Sequence, residues 1–147
     1  PIDWTLASLR ESEKEIEVFI SYNQSYEKIA MGLLSYVTDL KNVARLKPEM
    51  ESYIENVDRK LFLWKDEVTD NIVALIGVEI SEAMVLVRHI AVSPSFRNEG
   101  IVHRLLDGLQ QHYPTSTING TLETAPFIAK WNQKQLNRSD EESSGSL

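Results

Sequence analysis

The run "VRHIAVSPSFRNEGIVHRLL", residues 87–106, sets Arg97 and Gly100 between a β-branched stretch and an apolar helical pattern. Such a junction suits an anion. The first turn of a helix has amide donors without intrahelical partners and carries a partial positive charge, which together stabilise a bound phosphate. A glycine lets the ligand approach the backbone, and a guanidinium adds a charge-assisted contact. Across residues 85–104, Arg88, Arg97 and Arg104 are offset only by Glu99, a local surplus of +2 in a chain of net charge −7. The same spacing has a plainer reading, in which Gly100 merely starts a helix and Arg97 is a solvated turn residue.

Acid–base chemistry would draw on Glu79, Glu82, His89 and Glu123. Glu79 and His89 fall near the middle of a strand-rich region, where a carboxylate or imidazole acquires a shifted pKa. Each also has a structural reading: Glu79 as a strand-end surface carboxylate, His89 as a polar residue on an exposed strand face. The three histidines, His89, His103 and His112, lack paired ligand spacing, and the chain has no cysteine, so no metal site is expected.

These residues need a scaffold, and hydrophobic periodicity supplies its outline. "VFISYN" alternates as a strand, and "SYEKIAMGLLSY" places Tyr26, Ile29, Ala30 and Leu33 at helical spacing with Ser25 as N-cap. Gly32 within it marks a close approach or a bend. "KPEMESYIENV" predicts a second helix, with Pro48 in its first turn and Met50, Tyr53, Ile54 and Val57 on one side. "RKLFLWKD", "NIVALIGVEI" and "AMVLVRHIAV" predict three consecutive strands joined by hairpin-length connections. Then come the helix "GIVHRLLDGLQQHY", with Ile101, Leu105, Leu106 and Leu109 on one face, a short strand in "TSTING", and a last helix "APFIAKWNQKQL" carrying Phe127, Ile128, Trp131 and Leu136. The order βααβββαβα is an α/β (α+β) mixed sheet with helices on both faces. Residues 15–136 form this domain. Residues 1–14 are an N-terminal extension containing a short helix in "DWTLASLR", and residues 137–147 have the composition of a disordered tail.

Composition excludes several classes. With 147 residues, 42% hydrophobic and 25% charged, the chain has the makeup of one folded domain. Its net charge of −7 argues against a general nucleic-acid binder. The longest apolar run, Ile72–Val78, is too short to span a bilayer, and no membrane partner is expected. The absence of cysteine fits a reducing cytoplasm.

"RNEGIV" matches R-x-x-G-x-(G/A) in all but its last position, and with "HIAVSPSF" before it the segment resembles the cofactor-binding junction of the GNAT-fold N-acetyltransferases. The element order is similar too. The runs "SYEKIAMGLLSY", "KLFLWK", "IGVEI" and "VRHIAVSPSFR" further resemble a branch of that family encoded beside riboflavin-biosynthesis enzymes. The resemblance implies a mostly antiparallel sheet flanked by helices, an acetyl-CoA co-substrate, and an amine acceptor on a small molecule or a protein. Ile90, Ala91 and Val92 would pair through their backbone with the pantetheine arm. Amides of Asn98, Glu99, Gly100, Ile101, Val102 and His103 would bind the pyrophosphate beside Arg97. Val102 replaces a small residue and would crowd the phosphates. The family's acid is often a Tyr in a Phe-Tyr pair on the last helix; here the pair reads Phe127-Ile128, and Tyr113 lies elsewhere. The family's usual C-terminal β-hairpin is lacking, so a second subunit of a homodimer or the N-terminal residues Trp4 and Leu6 would have to complete the acceptor wall. Two alternatives stay open: a non-catalytic acyl-CoA-binding or regulatory module, and an interaction domain pairing through an exposed strand edge.

Overall fold

The computed structural model describes residues 18–37, 40–97 and 100–145, with side chains through Asn137. The extension expected over residues 1–14 lies outside the described residues, as do Asn98 and Glu99.

The alternating segments form one five-stranded sheet in the order β1-β2-β3-β4-β5. These are β1 (Phe19–Ser21), β2 (Arg59–Lys65), β3 (Ile72–Ile80), β4 (Met84–Val92) and β5 (Thr117–Gly120). The first four strands pair antiparallel, while β5 pairs parallel to β4. The helices are α1 (Glu27–Leu34), α2 (Val43–Glu55), α3 (Ile101–His112) and α4 (Ala125–Gly145). This is the expected order, a mixed, mostly antiparallel sheet flanked by helices, with α4 as the last described element.

Alternation along the strands sends apolar residues to both faces. One face, with Phe62, Ala74, Ile76, Val78 and Val85, packs against Leu105, Leu106 and Leu109 of α3 and Ile128 and Trp131 of α4. The other, with Leu61, Leu63, Leu75 and Ala91, is covered by Ala30, Leu33 and Leu34 of α1 and Leu46, Met50 and Tyr53 of α2. Burying both faces removes most of the sheet's apolar surface from water, at roughly 25 cal/mol per Å².

Helix boundaries differ from the sequence expectations for local reasons. Asn23, not Ser25, does the capping: its Oδ1 accepts from the Ser25 amide and opens a 3-10 turn over Gln24–Tyr26, so that α1 starts only at Glu27. Asn42 caps α2 through the Ala44 amide, about a turn earlier than expected, which places Pro48 inside the helix. Ile29, Ile54 and Val57 are exposed, the buried stripes running through Ala30 and Leu34 and through Leu46, Met50 and Tyr53. A Cβ at Gly32 would meet nothing within 4 Å, so this glycine marks no close approach. The last helix continues past Leu136 to Gly145, and residues 137–145, expected as a disordered tail, are helical. No Gly or Pro interrupts the chain between Phe127 and Ser144. Among the described residues, no helix is long and apolar enough to cross a membrane.

Candidate active site

The site begins where β4 loses its neighbour. Parallel pairing runs from Met84↔Thr117 to Val87↔Gly120 and stops. Beyond it the Thr124 hydroxyl donates to the Val87 carbonyl at 2.7 Å, and the chain turns into α4. Residues 88–92 of β4 therefore border a gap on that edge. A β-bulge precedes it: Gly77 pairs with His89 and Val78 with Val87, so Arg88 is the extra residue. Bulges re-aim side chains, and this one turns His89 toward α2, where its ring meets Tyr53 edge-on.

Two clefts open from that stretch of β4. The first, of about 420 Å³, is lined by Ile90, Ala91 and Val92 and by Gly100, Ile101, Val102 and His103 at the start of α3. Arg97 and Phe96 border it, with Tyr36, Phe127 and Lys130 opposite. Every described residue expected at the cofactor site thus lies in one place. Gly100 has φ 75°, a left-handed backbone that side-chain-bearing residues rarely adopt. No side chain caps the helix it precedes, and a Cβ there would enter open space. Arg97 is not a loose turn residue: its Nε donates to the Val92 carbonyl at 3.3 Å, and its guanidinium sits 5.7 Å from the centre of the Tyr36 ring. Val102 is half-buried against the core at the edge of this cleft. The charged lining consists of Arg97 and Lys130, with no carboxylate among the described residues. Tyr36 and Lys130 escaped the sequence reading. Lys130 follows Phe127 at i+3 spacing, which puts both on one helix face.

The second cleft, of about 640 Å³, is lined by Arg88 and His89, by Arg45, Pro48 and Glu49 of α2, and by Thr121–Glu123 after β5. His89, read as a polar residue on an exposed strand face, is instead 8% exposed. Its Nδ1 shares a hydrogen bond of 2.5 Å with the Tyr53 hydroxyl, and its Nε2 lies 3.8 Å from Glu49 Oε1. The ring of Tyr53 reaches this position because Gly77 has no side chain; a Cβ there would overlap the phenol. Burial raises the Tyr53 pKa above the ordinary tyrosine value, the Glu49 carboxylate adds to the rise, and Arg88 and Arg59 oppose it. The phenol is therefore neutral through the physiological range.

Arg59 ties the network together, with Nη1 3.1 Å from Glu49 Oε1 and Nε 3.7 Å from Glu79 Oε1, and Arg88 Nη1 lies 3.6 Å from the other Glu79 oxygen. Glu79 thus sits between two arginines and lines neither cleft. Glu82 lies in the exposed β3–β4 turn, and Glu123 reaches the second cleft. Glu49 is the carboxylate that the sequence reading missed. Its signal was helical spacing, since it lies at i+3 from Leu46 and four residues before Tyr53, flanking the buried stripe.

Ile128 is 5% exposed and packs into the core, so no proton donor occupies that position. Tyr113 lines a separate groove with Phe62 and His112. Among the described residues, no group of three or more His, Asp or Glu is placed to hold a metal ion.

The sequence profile described as "Acetyltransferase (GNAT) family" matches residues 23–135. An uncharacterised N-acetyltransferase of Bacillus methanolicus, from the lysA 3' region, is 40% identical over 114 residues, 77% of this chain and 93% of that protein. The fold is similar to that of an aminoglycoside antibiotic 6'-N-acetyltransferase of Acinetobacter baumannii, with TM-score 0.58 and 15% identity over 80% of this chain and 87% of that one. It is also similar to a possible acetyltransferase of Clostridium difficile, with TM-score 0.60 and 15% identity over 81% and 88%. The profile match and the 40% identical relative carry the assignment: the chain belongs to the acetyltransferase (GNAT) family, enzymes that take their acetyl group from acetyl-CoA.

Proposed function

We propose that the chain transfers the acetyl group of acetyl-CoA to an amine of a small molecule or a protein, with its cofactor in the first cleft and its acceptor in the second. The observation that carries this is the position of β4, whose residues Ile90–Val92 line one cleft while Arg88 and His89 line the other. Ile90, Ala91 and Val92 pair with β3 on one side and border the gap on the other, where an extended amide-bearing arm can pair as an added strand would, the Val92 carbonyl already being engaged by Arg97. The start of α3 holds the pyrophosphate, with Arg97 and Lys130 supplying positive charge.

In the second cleft the Glu49–His89 pair receives the proton that the acceptor ammonium gives up. The amine nitrogen then attacks the thioester carbon; the C–N bond forms as the C–S bond breaks. Thiols ionise near pH 8.5, so the departing thiolate is a tolerable leaving group that takes its proton from water. That is how turnover proceeds with Ile128 in place of a Tyr. Tyr53 holds the His89 ring in place. The narrower likeness is to RibT, an acetyltransferase encoded with riboflavin-biosynthesis enzymes, and it suggests an acceptor from that metabolism and a cytoplasmic setting.

Calorimetric titration with acetyl-CoA, CoA and dephospho-CoA tests the cofactor cleft. Saturable binding is expected, weakened at least about tenfold by Arg97→Glu or by Gly100→Val, which removes a charge-assisted contact or fills the phosphate position. Unchanged affinity in both variants would remove the assignment.

A second reading, a CoA-binding regulatory module without efficient turnover, is favoured by Ile128 and by Val102 at the cleft edge. CoA release across a panel of amines separates the two. The chain has no cysteine, so a thiol reagent reads only the product.

A further inference from the structure

The second cleft carries information about what the acceptor bears besides its amine. Its charged lining is Arg45, Glu49, Arg88 and Glu123. Glu49 is matched by Arg59 at 3.1 Å, and Arg88 by Glu79 at 3.6 Å. Arg59 also reaches Glu79, so these four groups form a neutral set of two cations and two anions. Glu123 has an interaction of its own. Arg45 is different. It is exposed on the cleft wall, and its guanidinium has no hydrogen bond or ion pair with any described residue. Deeper in, Arg88 keeps its Nε buried without a hydrogen-bond partner.

Helix geometry sets the spacing of these groups. Arg45 and Glu49 are at i,i+4 on α2, about 6 Å apart along one face. Glu49 turns inward to Arg59 and His89 rather than pairing with Arg45. The amine-binding end at Glu49 and His89 therefore lies one helical turn from a guanidinium with no acidic partner among the described residues. We infer that the acceptor is a small amine that also carries a carboxylate or phosphate, with its anionic group on Arg45 and its amine at the Glu49–His89 pair. A polycationic acceptor would set a second ammonium against Arg45.

The inference rests on the acetyl-transfer reading, and its test is arranged so that the two fail separately. The purified protein is first titrated with CoA. The CoA-saturated protein is then titrated with γ-aminobutyrate, aminopropyl phosphate, butylamine and putrescine, which are anionic, anionic, neutral and cationic beyond the shared aminoalkyl group. The two anionic amines are expected to bind at least about tenfold more tightly than butylamine and putrescine, the gain of a charge-assisted contact. The stronger of the two tells carboxylate from phosphate. Arg45→Lys should keep the order. Arg45→Glu should reverse it, with putrescine binding best and CoA affinity unchanged. Arg45 is exposed, so neither variant threatens the fold. Tighter binding of putrescine by the unaltered protein, an order unmoved in Arg45→Glu, or no binding of any amine by CoA-saturated protein would each overturn the inference while leaving the cofactor reading intact. Failure to bind CoA would overturn the acetyl-transfer reading and this inference with it.

Discussion

At the scale of single residues, Tyr53 shows how one side chain serves both the core and the site. Its ring lies over Gly77 and its hydroxyl meets His89, with Tyr53 5% and His89 8% exposed. Because burial raises its pKa in the folded chain, the unfolded chain gives up the phenolic proton first. The stability contributed by the neutral phenol is intact below about pH 10 and is lost as pH rises above that value. Tyr53→Phe is therefore expected to cost about 1–2 kcal/mol at neutral pH, through the hydrogen bond lost to His89. The variant should then lose less additional stability than the unaltered chain when both are moved well above the tyrosine pKa. Tyr22 and Tyr113, also raised by burial, leave a residual alkaline decline in the variant. Urea unfolding at the two pH values checks this, and equal alkaline losses in both proteins would refute it. If Tyr53 positions His89, the variant should also lower kcat and shift the pH profile while acetyl-CoA affinity stays constant. Legibility at this scale was uneven. Arg97 and Gly100 stood out because a turn, a charge and a helix start are contiguous in sequence. Glu49 and Tyr53 did not, because their meeting with His89 spans 36 or more residues and depends on a bulge that alternation does not announce.

At the scale of elements, α2 is the wall most open to change. Pro48 lies inside it, where a proline has no amide to return to the Ala44 carbonyl and its ring crowds that carbonyl. Both residues line the second cleft, proposed for the acceptor. A helix that tolerates an interior proline gives up stability of about 3 kcal/mol relative to alanine, offset by about 0.4–1 kcal/mol from the stiffer unfolded chain. Pro48→Ala is expected to stabilise the chain by about 2–2.6 kcal/mol and, by regularising the wall at Ala44, to lower kcat/KM for the acceptor with little effect on acetyl-CoA binding. Thermal unfolding and steady-state kinetics on the same variant test both halves; a neutral or destabilised variant would show that the proline carries no strain here. The strands themselves were legible, because alternation and hairpin-length connections are local. The start of α2 was not, since the pattern drew attention to Pro48 while the capping chemistry belonged to Asn42. Nor was the gap beside β4, which depends on where a parallel partner stops.

At the scale of the whole molecule, the acidic chain and its basic cleft act on an anionic cofactor over different ranges. The net charge of −7 repels acetyl-CoA at a distance, whereas Arg97 and Lys130, lining the cleft proposed for the cofactor, would attract it at contact. Screening separates the two: the Debye length is about 30 Å at 0.01 M salt and about 8 Å at physiological ionic strength. At the lowest salt the whole-molecule repulsion reaches the approaching cofactor. Near physiological salt only the charges lining the cleft still count, and beyond that the contact attraction itself is weakened. Affinity for acetyl-CoA is therefore expected to pass through a maximum at intermediate ionic strength rather than fall throughout. Lys130→Glu should lower that maximum, because it removes contact attraction and adds to the repulsion. Titrations across the salt range decide it: a monotonic fall would mean that the local cations dominate at every distance, and a monotonic rise that the net charge does. Composition alone foretold only the repulsion, since the basic lining draws one residue from the "RNEGIV" junction and another from α4, which the fold brings together across the gap beside β4.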